Sequence, residues 1–150
     1  MSAEPALMSL TEVARAIAEK KLSSREATAS CLDRIARLNP KLNAFMAIEA
    51  DAALQAADSA DAALAKGNAA GALHGVPLAH KDMYYEAGKV VTSGSKIRRD
   101  FVATTTSTAL QRLNDAGAVR LGTLQMVEFA FGPTGHNPHY GAVRNPWNTD

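Results

Sequence analysis

The chain has 150 residues, 16 basic and 15 acidic side chains, a net charge of +1, and a composition 47% hydrophobic and 21% charged. Those values fit one soluble globular domain and exclude a disordered chain. The charge balance leaves no long-range field to gather nucleic acid or anionic lipid, so no direct nucleic-acid contact is expected.

Aromatics are only 5%, and alanine supplies much of the apolar fraction, so the core of this chain alone should be thin. The single cysteine, Cys31, cannot form an internal disulfide and fits a reducing compartment. No charged-then-apolar signal segment opens the chain, and no apolar run is long enough to span a bilayer. A cytoplasmic protein without a membrane partner is the expectation.

Three helices are predicted first. Ser9-Leu10-Thr11-Glu12 reads as a capping box, after which Leu10, Val13, Ala14 and Ile17 share one face. Ser23-Ser24-Arg25-Glu26 repeats the box. The next helix then carries Ala27, Cys31, Leu32, Ile35 and Leu38 on an apolar stripe and is expected to stop at Asn39-Pro40. On that stripe Cys31 reads as a small core residue rather than a reactive thiol. Ala44 to Ile48 is a short extended stretch. An alanine-rich helix follows from about Glu49 to Lys66 and closes at Gly67, with Asp51, Asp58 and Asp61 on its wet face.

The texture changes after Gly71. Val76 to His80 reads as a buried strand, Val90-Val91-Thr92 as another, Thr104 to Asp115 as polar at first and then helical, ending at Ala116-Gly117, and Ala118 to Gly122 as a strand. Alternation of this kind predicts an α/β fold with a mixed sheet flanked by helices. Residues 1–70 form a helical lead-in and 71–150 the start of the α/β core. The basic run Lys96-Ile97-Arg98-Arg99, closed by Asp100, reads as a solvated loop or strand end. Gly132 to Asp150 is irregular.

The chemistry is narrower. There is no Gly-x-Ser-x-Gly elbow. The histidines at 74, 80, 136 and 139 make no metal pattern, so neither a metal nor a cofactor is expected. Ser93-Gly94-Ser95-Lys96 matches Ser-x-x-Lys, but Gly94 interrupts it and no companion box follows, so the match carries no weight. Lys81 is the unusual residue. A lysine ending a buried strand has its charged form disfavoured, which is how a lysine becomes a usable base. The plainer alternative is a lysine paired with Asp82 or reaching to solvent.

Gly71-Ala72-Leu73-His74-Gly75-Val76-Pro77-Leu78-Ala79-His80-Lys81-Asp82 resembles the amidase-signature stretch G-x-L-x-G-[VI]-P-x-x-x-K-D. The resemblance continues through Thr92 to Ser95, Asp100 to Val102, Ala116 to Gly122, Met126 to Gly132, Asn137-Pro138 and Asn145-Pro146-Trp147. Departures are Met83, where the family often has asparagine, and Gly122-Thr123-Leu124-Gln125-Met126, where many members read Gly-Lys-Thr-Asn-Met. They bear on substrate choice more than on reaction type.

The resemblance implies an α/β fold hosting a Ser-cisSer-Lys triad. Lys81 would take a proton, through a bridging serine, from a serine nucleophile that attacks an amide. Backbone amides of a glycine-rich loop would hold the oxyanion. In the family both serines lie in a Gly-Gly-Ser-Ser-Gly-Gly-Ser stretch shortly after Asn-Pro-Trp, beyond Asp150, so the chain alone is expected to be inactive and marginally stable. Ser93 and Ser95 fall in a different block and cannot replace them. Phe131 is the candidate wall of the substrate pocket, with a plain core aromatic as the alternative. The readings to be separated are an amidase acting on a small-molecule amide, an amidotransferase A-subunit releasing ammonia from glutamine for tRNA-dependent transamidation, and a non-catalytic scaffold. A homodimer or amidotransferase partner subunits are the assemblies they imply.

Overall fold

The computed structural model describes residues 4–149. The chain divides into two compact units, each assembled from three segments. The first holds the chain through Arg37, Glu49–Leu78 and Arg112–Leu121. The second holds Leu38–Ile48, Ala79–Gln111 and the chain from Gly122 onward.

In the first unit, helix α1 (Leu10–Ala18) begins at the predicted capping box: Ser9 Oγ accepts from Glu12 N, and the Glu12 carboxylate accepts from Ser9 N at 2.7 Å. Val13 and Ile17 are its buried residues, while Leu10 is exposed. Helix α2 (Ser24–Leu42) opens on the second box, with Glu26 N donating to Ser23 Oγ at 3.0 Å and Ser23 N donating to Glu26 Oε2 at 2.9 Å. The core gathers Val13, Ile17, Ala27 and Val76, with Met8, Ala14, Leu22, Leu64, Leu73 and Leu78 packed around them.

Three details of these helices differ from expectation. α2 does not stop at Asn39-Pro40 but carries Pro40 inside and runs to Leu42. So near the end, proline's missing N–H removes one bond and no more. The stop is Asn43 instead, which donates to Asn39 O at 2.8 Å and turns to a φ of 50°. The buried face of α2 is Ser24, Ala27 and Thr28, whereas Cys31 is only half-buried and Leu38 is exposed. Finally, Asp61 of helix α3 (Ala50–Ala65) is not a solvated spectator. Its two carboxylate oxygens accept from Ser24 N at 2.7 Å and Arg25 N at 3.0 Å, satisfying donors at the start of α2. Asp58 of the same helix binds the Arg25 guanidinium at 2.5 Å.

Among the described residues the sheet has three strands, β1 (Phe45–Ile48), β2 (Pro77–Lys81) and β3 (Val119–Leu124), in the order β1-β3-β2. β1 and β3 are antiparallel, Phe45 opposite Leu124 and Ile48 opposite Gly122, with a bulge between Phe45 and Ala47. Beside β3, Val76 O accepts from Val119 N and Asp82 N donates to Leu124 O. These bonds advance the same way along both strands, so the sheet is mixed. β3 is largely buried, and β2 is half-buried throughout rather than fully buried.

Helix α4 (Thr108–Asp115) ends at Gly117 with a φ of 87°, as its sequence predicts. Val90-Val91-Thr92 is not a strand. It makes one isolated bridge, Val90 to Val102, and the chain then turns away because Ser93 and Gly94 are both left-handed. Lys96–Arg98 is a short 3-10 turn, and Arg98 is drawn inward, its guanidinium 4.0 Å from the Phe101 ring centre and 5.1 Å from that of Tyr85.

Candidate functional site

Lys81 is the last residue of β2 and Asp82 the first beyond it. Successive residues of extended chain face opposite ways, and the two charges part accordingly. Asp82 is buried, with 2% exposure, and its carboxylate accepts from both the backbone N–H of Thr92, at 3.1 Å, and the Thr92 hydroxyl. Lys81 is half-buried and borders a cavity of about 380 Å³. The Asp82 carboxylate is turned to Thr92 and not to Lys81, so of the two plainer alternatives for the lysine the ion pair is not formed, while the half-buried side chain retains a path to solvent.

The rest of the cavity wall comes from Gln125 to Val127, Gly132 to Gly135 and Val143 to Asn145. Three side chains hold these pieces. Gln125 sends Nε2 to Tyr140 O at 3.1 Å, while its Oε1 accepts from Met126 N at 3.2 Å. Asn137, buried at 4% exposure, donates through Nδ2 to Gly94 O at 2.7 Å and Met126 O at 2.8 Å. Its Oδ1 accepts from His139 N and Tyr140 N. Asn43 reaches the same loop, its Nδ2 donating to Tyr140 O and Ala142 O. Gly94 must be glycine here: its φ is 69°, and a Cβ would stand 2.8 Å from Asn137 Nδ2 and 3.0 Å from Met126 O.

Glu128 links two further groups. Ser95 and then His139, at 3.0 Å, donate to its carboxylate and hold it below the usual glutamate range. Ser95 itself is fully buried. Ser93, also buried, offers its carbonyl to Phe129 N at 2.8 Å. Neither serine belongs to the wall of the cavity beside Lys81.

Phe131 does not line this cavity. The residue is 93% exposed, and the wall resumes at Gly132. Phe129 and Ala130, in the turn before it, are left-handed, with φ of 51° and 57°. The histidines are scattered. His74 Nδ1 accepts from Ala70 N at 3.0 Å, which leaves Nε2–H to donate to Ala60 O at 2.9 Å. His80 lies 3.9 Å from Glu86. Among the described residues no three metal-binding side chains cluster, and no helix is long and apolar enough to cross a membrane.

The roles of Asp82, Thr92, Gln125 and Asn137 do not emerge from the sequence reading. Lys-Asp at a strand end was a usable signal, because alternation denies the aspartate its neighbour. The buried amide of Asn137 had no local signal beyond the proline that follows it.

A family model described as Amidase matches residues 26–150. The chain is 50% identical over 141 residues to the A-subunit of the glutamyl-tRNA(Gln) amidotransferase from Azoarcus sp. (strain BH72), covering 94% of this chain and 29% of that protein. Among solved structures, the native peptide amidase from Stenotrophomonas maltophilia superposes with a TM-score of 0.84 at 29% identity, over 95% of this chain and 31% of that one. A bacterial aryl acylamidase of the amidase signature enzymes family gives a TM-score of 0.89 at 28% identity, over 95% and 30%. The chain thus spans under a third of the length of these relatives.

Proposed function

The chain belongs to the amidase family, and on that premise we propose that it supplies the general base of an amide-cleaving site, Lys81. In the reaction this implies, the neutral amine of Lys81 takes the proton of a serine nucleophile through a second, bridging serine. The nucleophile's oxygen bonds to the amide carbon, the C–N bond breaks, the nitrogen leaves with the returned proton, and water releases the acyl group. One observation carries the reading. The carboxylate beside Lys81 is taken up by Thr92, so it does not pin the ammonium in an ion pair, and the lysine borders a cavity.

The test is a chimera in which this chain replaces the matching segment of the Azoarcus relative. Lys81→Ala should lower kcat by about a hundredfold or more while the fold persists. Near-normal turnover would rule Lys81 out. Phe131 belongs to this proposal as a residue that contacts the acyl group. Its exposed ring offers a surface, and Phe131→Ala in the chimera should change preference among acyl groups.

The 150-residue chain by itself should turn over no amide. This rests on the cavity wall, which among the described residues presents no serine or cysteine beside Lys81, and on Ser93 and Ser95 being buried. Turnover by the purified chain that survives repurification and vanishes in Lys81→Ala would overturn it. We read residues 1–70 as lead-in and 71–150 as α/β core of one amidase domain, working in the cytoplasm. The unbroken family match over residues 26–150 supports a single amidase domain, and the single cysteine supports the cytoplasm.

A second reading follows from the 50% identity to an amidotransferase A-subunit. Here the amide is glutamine and the ammonia passes to partner subunits. Ammonia release from glutamine that rises when the relative's partner subunits are added favours it. Hydrolysis of simple amides indifferent to those subunits favours the plain amidase.

A further inference from the structure

Resting on the reading of Lys81 as the base, we infer that Asp82 is its positioning residue, fixing the end of β2 to the left-handed Ser93–Gly94 turn. A buried carboxylate is tolerated only when hydrogen-bonded, and the polar groups of Asp82 are engaged on three sides. Its side chain accepts twice from Thr92, its backbone carbonyl accepts from Ser93 N at 2.9 Å, and its N–H donates to Leu124 O at 3.1 Å. Asp82 therefore ties the residue after Lys81 to β3 on one side and to the turn on the other.

The turn needs such an anchor. Ser93 at φ 53° and Gly94 at φ 69° are consecutive left-handed residues, and Ser93 carries a steric cost there that glycine does not. The Thr92 hydroxyl, which donates to Asp82, also accepts from Gly94 N at 3.0 Å, so the carboxylate acts on the turn through one relay atom. From the turn, Ser93 O holds Phe129 N, and Gly94 O holds Asn137, whose amide also grips Met126 O in the cavity wall. Asp82 is absent from that wall. It acts on the reaction only through where it sets Lys81 and what it braces behind the cavity.

Two measurements test this. In the 150-residue chain, lysines dimethylated with isotopically labelled formaldehyde give one NMR signal each, and that of Lys81 is the one missing from Lys81→Arg. It should stand apart from the exposed lysines in the parent and in Asp82→Asn, which keeps an acceptor for Thr92. It should merge with them in Asp82→Ala. In the chimera, Asp82→Ala should lower kcat by about tenfold to a hundredfold with KM nearly unchanged, and Asp82→Asn should recover most of it. A folded Asp82→Ala with the Lys81 signal and kcat both unmoved overturns the proposal, as does failure of Asp82→Asn to rescue. Should Asp82→Ala not fold by circular dichroism, Thr92→Val against Thr92→Ser decides on the same signals, and a Val variant identical to the parent overturns it. An active Lys81→Ala chimera would remove Lys81 as base while leaving the NMR result to judge Asp82 alone.

Discussion

Gly122 of β3 leaves no room for a side chain beside Ala47 of β1: a Cβ there would overlap the Ala47 carbonyl oxygen and stand 3.0 Å from Ile48 Cα. Its φ of 150° is also one that side chains rarely adopt. Both neighbours are backbone and cannot swing away. Gly122→Ala should therefore cost about 2–5 kcal/mol, combining overpacking with backbone strain. The urea midpoint of the purified chain measures it. A midpoint equal to the parent's would mean that β1 and β3 are not held this close in solution.

Asp61 gives a second prediction. Its carboxylate accepts from Ser24 N and Arg25 N, and Ser24, fully buried, also donates its hydroxyl to Gly75 O at 2.7 Å. Asp61→Ala leaves those backbone donors short of partners at a helix start. The expected loss is about 1–2 kcal/mol, read from denaturant unfolding. Asp58→Ala breaks only an exposed pair with Arg25 and should cost at most about 0.5 kcal/mol. Equal effects from the two variants would contradict this division.

Glu128 predicts a pH dependence. Hydrogen bonds from Ser95 first, and from His139 after it, hold its carboxyl below the ordinary 4.5. A group depressed in the folded state adds stability above its unfolded value and loses it as pH falls through the folded one. Acidification below 4.5 should therefore weaken the fold, and Glu128→Gln should be less stable than the parent near neutrality, lose part of that slope, and converge with the parent in acid. Parallel unfolding curves for parent and variant on acidification would contradict it.

Cys31 supplies the last prediction. Burial, aided by Glu4, raises its thiol pKa, and Arg34 offsets this only in part. Less thiolate at neutral pH means slower alkylation. Iodoacetamide should modify the native chain more slowly than the same chain in urea. A native rate as fast as the unfolded one would show Cys31 to be open and unperturbed.

What the sequence disclosed and what it hid divide by range. Both capping boxes, the α3 stop at Gly67 and the α4 stop at Gly117 were legible because each depends on residues within a turn of one another. The end of α2 was misplaced because Pro40 is a local signal, whereas Asn43 is fixed by Tyr140 and Ala142, far along the chain. Val90 to Thr92 has strand-like residues, yet Asp82 captures the Thr92 N–H, and the left-handed turn ends the pairing after one bridge. Lys81 was singled out by the resemblance together with its place at the end of an apolar run, and it borders the cavity. The expected full burial of β2 was not met, and the buried amide of Asn137 was invisible because its partners, Gly94 and Met126, are brought to it only by the fold.

The Asn137 amide bears on how the molecule ages. Asparagine deamidates when the backbone nitrogen of the next residue attacks the side-chain amide carbon, a step that requires that nitrogen to give up a hydrogen. The next residue is Pro138, whose nitrogen carries none. Conversion to aspartate would replace a two-fold donor with oxygen facing the carbonyls of Gly94 and Met126, setting acceptor against acceptor at the back of the cavity. The proline that follows Asn137 closes that route, so the side chain holding the cavity wall together is protected against the commonest spontaneous lesion of its kind.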